Sequence, residues 1–124
     1  MTQRIETPIA CDLTQIPAAE RMDHIENQLP TLFRAATEMK ELDTGYALGF
    51  NKTAGIIPQI AQFVDNERLC CPFFSFVIDI TPGDAPVWLR ITGPDGVKEL
   101  LGGMFAYLTN PPILIAGSHT SSHQ

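Results

Sequence analysis

The sequence has little positive charge and no long apolar run, and each shortage excludes a class of protein. Eight Lys and Arg residues stand against fourteen acidic ones, which gives a formal net charge of −6. Nucleic-acid binding needs a surface rich in Lys and Arg, so we expect no nucleic-acid partner. No apolar run approaches the roughly 20 residues of a membrane helix, so we expect no membrane partner. Residues 1–6 lack the apolar core of a secretory signal, which predicts a cytoplasmic protein.

Cysteine is also scarce, with three residues in a chain of 124. A chain of this length can bury its own core without disulfide bonds, and an odd number of cysteines cannot be fully paired within one chain. In a cytoplasmic protein we expect reduced thiols that bind metal, carry out thiol chemistry or simply pack in the core. We expect one domain over residues 1–116, followed by a disordered polar tail over residues 117–124.

Apolar spacing predicts the order of the helices and strands. Period-two alternation indicates strands, and apolar residues three and four apart indicate helices. The predicted elements are a strand at 5–13, a helix at 17–40 that Pro30 kinks or divides, a strand at 46–50, a helix from about 53 to Pro72, strands at 73–81 and 87–92, and a helix at 97–108. This order predicts an α+β two-layer sandwich. Its mixed or mainly antiparallel sheet has three to four strands, with about three helices packed on one face.

The most unusual chemistry lies where the second helix meets the following strand. Glu67 stands three and four residues before Cys70 and Cys71, so all three side chains share one helical face. Thiolates favour soft ions of the copper(I), zinc, mercury(II) and arsenic(III) class. A further ligand is available from Cys11 if the first strand lies beside strand 73–81. The sequence therefore predicts a thiophilic ion site at Cys11, Glu67, Cys70 and Cys71, used for sequestration or transfer.

Charge at this junction argues against an activated cysteine nucleophile. A helix C-terminus is the negative end of its dipole, and Glu67 adds a further negative charge, so thiolates are disfavoured there. A bound cation reverses this effect, because it deprotonates the thiols that coordinate it. We therefore favour an ion-binding protein over an enzyme.

Two other functions remain open on the sequence alone. In the first, Cys70 or Cys71 is oxidised in a redox sensor or thiol enzyme, and Cys11 resolves it. In the second, the cysteines are only buried, and unpaired strand edges recruit a partner protein or a second copy in a homodimer. His24 is predicted to be a surface residue of the first helix, and His119 and His123 of the tail offer only adventitious metal binding.

Four segments together resemble a family of small bacterial proteins of unassigned function. They are Ile9–Leu13, Gly45–Phe50, Glu67–Phe73 and Val87–Pro94, and the resemblance covers most of residues 8–105. The family is similar in having a cysteine after a short opening strand and a carboxylate before a Cys-Cys pair at a helix end. The resemblance implies that Cys11, Glu67, Cys70 and Cys71 belong together, and it brings no activity with it.

Overall fold

The structure, a computed structural model, describes residues 11–108. Its elements are a 3₁₀ turn (Leu13–Gln15), α1 (Ala18–Asp23), a π-helical turn (His24–Gln28), α2 (Leu29–Ala35), β1 (Ala36–Leu42), β2 (Gly45–Phe50), α3 (Ile56–Cys70), β3 (Ser75–Asp79), β4 (Val87–Thr92) and α4 (Val97–Leu108). The strands form one antiparallel sheet in the order β1-β2-β4-β3. Because α1, the π-helical turn and α2 are continuous, the described chain has three helical segments. The predicted two-layer α+β fold is confirmed.

The core lies between the helices and one face of the sheet. Along β4, Val87, Leu89 and Ile91 are buried while the residues between them are partly exposed, which is the alternation of a strand with one covered face. Phe33 and Phe63 bring α2 and α3 into edge-to-face contact in this core. The strands predicted at 73–81 and 87–92 correspond to β3 and β4, which pair in an antiparallel register and form a hairpin.

The first predicted helix is too long, because residues 36–40 belong to β1. Ala36 and Met39 are both buried in this strand although they stand three residues apart. The register with β2 shifts between Ala36 and Glu38, and this irregularity breaks the normal two-residue alternation. The bulge therefore gives the buried residues of this strand the three-residue spacing that is typical of a helix.

Pro30 lies near the start of α2, and the helical segment changes its hydrogen bonding just before it. The Leu29 N–H donates to the His24 carbonyl five residues earlier, as in a π-helix. A proline has no N–H to donate, so the regular α-helical ladder is interrupted at this point. The kink or junction at Pro30 stays a prediction, and the structure places Pro30 in the first turn of α2, shortly after the π-helical turn.

The predicted opening strand is wrong where the structure describes it. Cys11 and Asp12 lie outside any strand, and Leu13–Gln15 form a 3₁₀ turn with Asp12 as its cap. Residues 5–10 of that prediction, and the predicted tail at 117–124, lie outside the described residues. Among residues 11–108, no helix has the length and apolar character needed to cross a membrane.

Candidate functional site

The last turn of α3 brings Glu67 and the two adjacent cysteines together. The Cys71 N–H donates to the Glu67 carbonyl oxygen at 2.8 Å, so Cys71 still follows the helical path as α3 ends. Pro72 disfavours a helical conformation in the residue before it, and the backbone of Cys71 has left the α region. The Glu67 carboxylate lies 3.7 Å from Cys70 Sγ through Oε1 and 3.3 Å from Cys71 Sγ through Oε2.

Cys11 reaches the same place through the backbone and a disulfide bond. The Asp12 N–H donates to the Cys70 carbonyl oxygen at 2.7 Å, which docks the start of the described chain onto the end of α3. Cys11 is disulfide-bonded to Cys71, and Cys70 is the free cysteine. The expectation of three reduced thiols is therefore wrong for this structure, because the backbone contact sets two cysteines 60 residues apart within bonding distance.

All four residues that the sequence predicted for the site lie in one cluster. One sulfur from each of Cys11, Cys70 and Cys71 and one oxygen of Glu67 lie within 4.8 Å of one another. Cys11 is exposed, whereas the other three residues are buried. A cluster of this composition could hold a metal ion, with the exposed side of Cys11 as its contact with solvent.

His24 is the residue that sequence reasoning missed. It was predicted to lie on the surface, but it is fully buried, and its Nε2 lies 2.8 Å from Glu67 Oε1. Its ring also stacks on Phe63 at a centroid distance of 5.9 Å. The prediction failed because it assumed one continuous α-helical period, and the π-helical turn that begins at His24 changes which residues face the core.

A chain of polar side chains holds His24 from the other side. Gln28 Oε1 lies 3.0 Å from His24 Nδ1 and accepts from the Asn66 amide at 3.1 Å. The Gln28 amide nitrogen donates to Asp23 at 3.0 Å, which fixes the orientation of this side chain. Asn66 also donates to Glu20 at 3.2 Å. The network thus connects the buried Glu67 carboxylate, through His24, to the polar side chains of Asp23 and Glu20.

These contacts favour the protonated form of the His24 ring. Burial lowers the pKa of His24, but the hydrogen bonds to Glu67 and Gln28 and the negative charge of Glu67 outweigh burial and raise the pKa overall. With an amide oxygen at Nδ1 and a carboxylate at Nε2, the imidazolium can donate from both nitrogens. A buried imidazolium and a buried carboxylate therefore compensate each other beside the thiols.

The free thiol of Cys70 is held in its neutral form. Burial and the negative charge of Glu67 raise the pKa of Cys70 to about 12. The thiol donates to the Glu67 carboxylate, and its sulfur lies 3.5 Å from Cys71 Sγ. A neutral, buried thiol is a poor nucleophile. A cation bound in the cluster would remove this barrier, since metal charge deprotonates coordinating thiols.

Comparisons with protein-family models, with curated proteins and with solved structures gave no match to this chain. The resemblance to small bacterial proteins stays a prediction from the sequence. Any statement about function therefore depends on the geometry of the cluster itself.

Proposed function

We propose that the protein binds one thiophilic metal or metalloid ion through Cys11, Cys70 and Cys71, with Glu67 as a fourth ligand, for sequestration or transfer. The observation that carries this proposal is the convergence of three sulfurs and one carboxylate oxygen within 4.8 Å. Soft sulfur ligands select ions of the copper(I), zinc, mercury(II) and arsenic(III) class over magnesium or calcium. A cytoplasmic location, the absence of nucleic-acid and membrane partners, and a homodimer remain predictions.

The binding form is the reduced protein. In the disulfide form, Cys11 and Cys71 share their electrons in a covalent bond, and Cys70 is the remaining thiol. Reduction releases two further thiols beside it, and the ion displaces their protons as it binds. The disulfide form is thus the ion-free, oxidised state of the same site.

Titration of reduced protein tests this function. Arsenite, Hg²⁺, Cd²⁺ and Zn²⁺ are added separately under anaerobic conditions, with calorimetry and thiol quantitation as readouts. We expect about one equivalent of at least one of these ions to bind and to protect the three thiols. The disulfide form should bind that ion at least tenfold more weakly, since it lacks two of the sulfur ligands.

Two variants make this experiment specific. Replacing both Cys70 and Cys71 by serine should abolish tight binding, and unchanged binding in that variant would remove the proposal. Replacing His119 and His123 by alanine is the control for adventitious binding by imidazoles, and it should leave stoichiometry and affinity as they are.

A second function, thiol–disulfide exchange, is favoured by the exposure of Cys11 in a disulfide whose other cysteine is buried. A small thiol would attack Cys11 Sγ, forming a mixed disulfide while the Cys71 thiolate leaves. A second thiol would then attack the mixed disulfide, so that two thiols are oxidised to one disulfide and the protein gains two electrons.

The Cys70→Ser variant separates the two functions. It retains Cys11 and Cys71, so exchange with a glutathione redox buffer should continue, whereas ion affinity should fall at least tenfold because one of the three sulfur ligands is lost. Unchanged ion affinity in this variant, together with continued exchange, would make thiol–disulfide exchange the better explanation of the cluster.

A further inference from the structure

We propose that His24 is a positioning residue that holds the Glu67 carboxylate toward the thiols, so that this carboxylate is available as a ligand when the ion enters. This inference rests on the proposed ion-binding function and adds a residue from another part of the chain. His24 and Glu67 are 43 residues apart in sequence, and their side chains meet at 2.8 Å in the protein interior.

The buried carboxylate of Glu67 requires a partner that compensates its burial. Its relative exposure is 1%, and an isolated buried carboxylate is strongly unfavourable. His24 Nε2 contacts Oε1, and that oxygen is also the one 3.7 Å from Cys70 Sγ. The other oxygen, Oε2, lies 3.3 Å from Cys71 Sγ. The histidine therefore binds Oε1, the oxygen that also accepts from the Cys70 thiol, and leaves Oε2 facing Cys71 Sγ.

Neighbouring side chains hold His24 in place. Its ring is fixed by Gln28 at Nδ1 and by the face of Phe63. Gln28 is in turn held by Asn66 and Asp23. Residues that hydrogen-bond a metal ligand commonly set its orientation, and replacing them typically weakens metal binding 10- to 100-fold.

The backbone at His24 has an irregular helical conformation. The Leu29 N–H bonds to the His24 carbonyl, which makes His24–Gln28 a π-helical turn between two α-helical pieces. Such turns are rare and often occur at functional sites. Here the turn delivers both His24 and Gln28 to the polar cluster behind Glu67.

A double-mutant cycle with Cd²⁺ as the probe tests this role on the reduced full-length chain. His24→Leu removes both ring hydrogen bonds, and we expect it to weaken Cd²⁺ binding about tenfold or more. Glu67→Gln removes the carboxylate ligand. If His24 acts through Glu67, adding His24→Leu to Glu67→Gln should cause no further loss of affinity. A role confined to packing would weaken binding equally in both backgrounds.

Two more variants distinguish the positioning role of His24 from a general loss of protein stability. His24→Gln keeps an amide donor for Glu67, and it should recover part of the affinity that His24→Leu loses. Phe33→Leu perturbs the core beside Phe63 without touching Glu67, so it should lower stability and leave Cd²⁺ affinity within about twofold.

The outcomes distinguish this inference from the proposed function. Equal Cd²⁺ affinity in wild type and His24→Leu, or the same loss in both Glu67 backgrounds, would overturn the positioning role alone. Failure of the reduced wild-type protein to bind any of arsenite, Hg²⁺, Cd²⁺ and Zn²⁺ would overturn the ion site and this inference with it.

Discussion

At the scale of single residues, the thiol of Cys70 shows how its surroundings change the chemistry of a side chain. Free cysteine ordinarily titrates near neutral to mildly basic pH. Burial in the core, together with the nearby Glu67 carboxylate, raises the pKa of Cys70 to about 12. Burial therefore disfavours the thiolate in the folded protein, and the free energy of unfolding should fall as the pH rises from about 9, where the unfolded thiol ionises, toward about 12.

This pKa predicts slow alkylation of Cys70 in the disulfide form of the protein. At pH 8 its thiolate fraction is about a thousandfold below that of a thiol with a pKa of 9. Reaction with iodoacetamide, followed by mass spectrometry, should be correspondingly slow and should keep accelerating with pH beyond pH 10. The same protein unfolded in urea is the control, and its rate should be half-maximal near pH 9 and level off above about pH 10. A rate that is half-maximal near pH 9 in the folded protein would contradict the raised pKa.

How much of the site the sequence predicts also depends on individual residues. Glu67, Cys70 and Cys71 could be grouped because they belong to one helix, where residues three and four apart share a face. Cys11 was assigned to the cluster, but through a strand pairing, whereas the backbone contact is with the end of α3. His24 could not be found from periodicity, because a π-helical turn has no fixed apolar signature. The sequence did show that His24 and Gln28 stand four residues apart, a spacing at which two side chains on a helix can contact each other.

At the scale of elements, the close approach of β2 and β4 requires a glycine at position 45. A Cβ atom on Gly45 would clash with the backbone of Ile91 and lie 2.8 Å from the Cα of Thr92. On α4, a Cβ on Gly103 would meet no atom within 4 Å, and Gly103 is exposed. Position 45 therefore requires glycine, whereas position 103 has room for a methyl group, so alanine substitutions at the two positions can be compared.

We expect Gly45→Ala to lower the free energy of unfolding by about 1–3 kcal/mol, because the strand must shift to admit the methyl group. Gly103→Ala should raise it by about 0.5–1 kcal/mol, since alanine is the better helix former. Urea unfolding monitored by circular dichroism gives both values. Equal stability of the Gly45→Ala variant and the wild type would show that β2 and β4 are not packed as described.

Elements with a strong periodic pattern were predictable, and those with an irregular backbone were not. The hairpin of β3 and β4 and the long helix α3 follow directly from apolar spacing and turn residues. The register shift in β1 produced a three-residue spacing that is shared with helices. The spacing of apolar residues alone cannot distinguish a bulged strand from a helix, since the bulge is determined by pairing with β2.

At the scale of the whole molecule, the Cys11–Cys71 disulfide links the start of the described chain to the end of α3. It closes a loop with a sequence separation of 60 residues, which includes α1, α2, α3 and the strands β1 and β2. Cross-linking residues this far apart restricts the unfolded chain, and the loop-entropy relation gives about 4 kcal/mol of stabilisation.

Reduction of this disulfide should therefore lower the free energy of unfolding by about 4 kcal/mol in the absence of metal ions. Urea unfolding with and without a phosphine reductant measures the difference. The Cys11→Ser variant is the control, because it cannot form the bond and should not respond to the reductant. Identical unfolding curves for oxidised and reduced wild type would contradict the predicted stabilisation.

The two-layer fold was predictable at this scale because helix and strand patterns fix its layers. The disulfide was not, since pairing between distant cysteines depends on how the elements dock. Adding an ion to the reduced protein should restore part of the lost stability, because an ion that binds only the folded state stabilises it.

X-ray absorption at the cadmium edge, on reduced protein loaded with one equivalent of Cd²⁺, tests the proposed ion site most directly. Ligation by Cys11, Cys70, Cys71 and Glu67 predicts a first coordination shell of three sulfurs and one or more oxygens. The Cys70→Ser variant should lose one sulfur from that shell. A shell made only of oxygen and nitrogen in the wild-type protein would contradict an ion site built on the three cysteines.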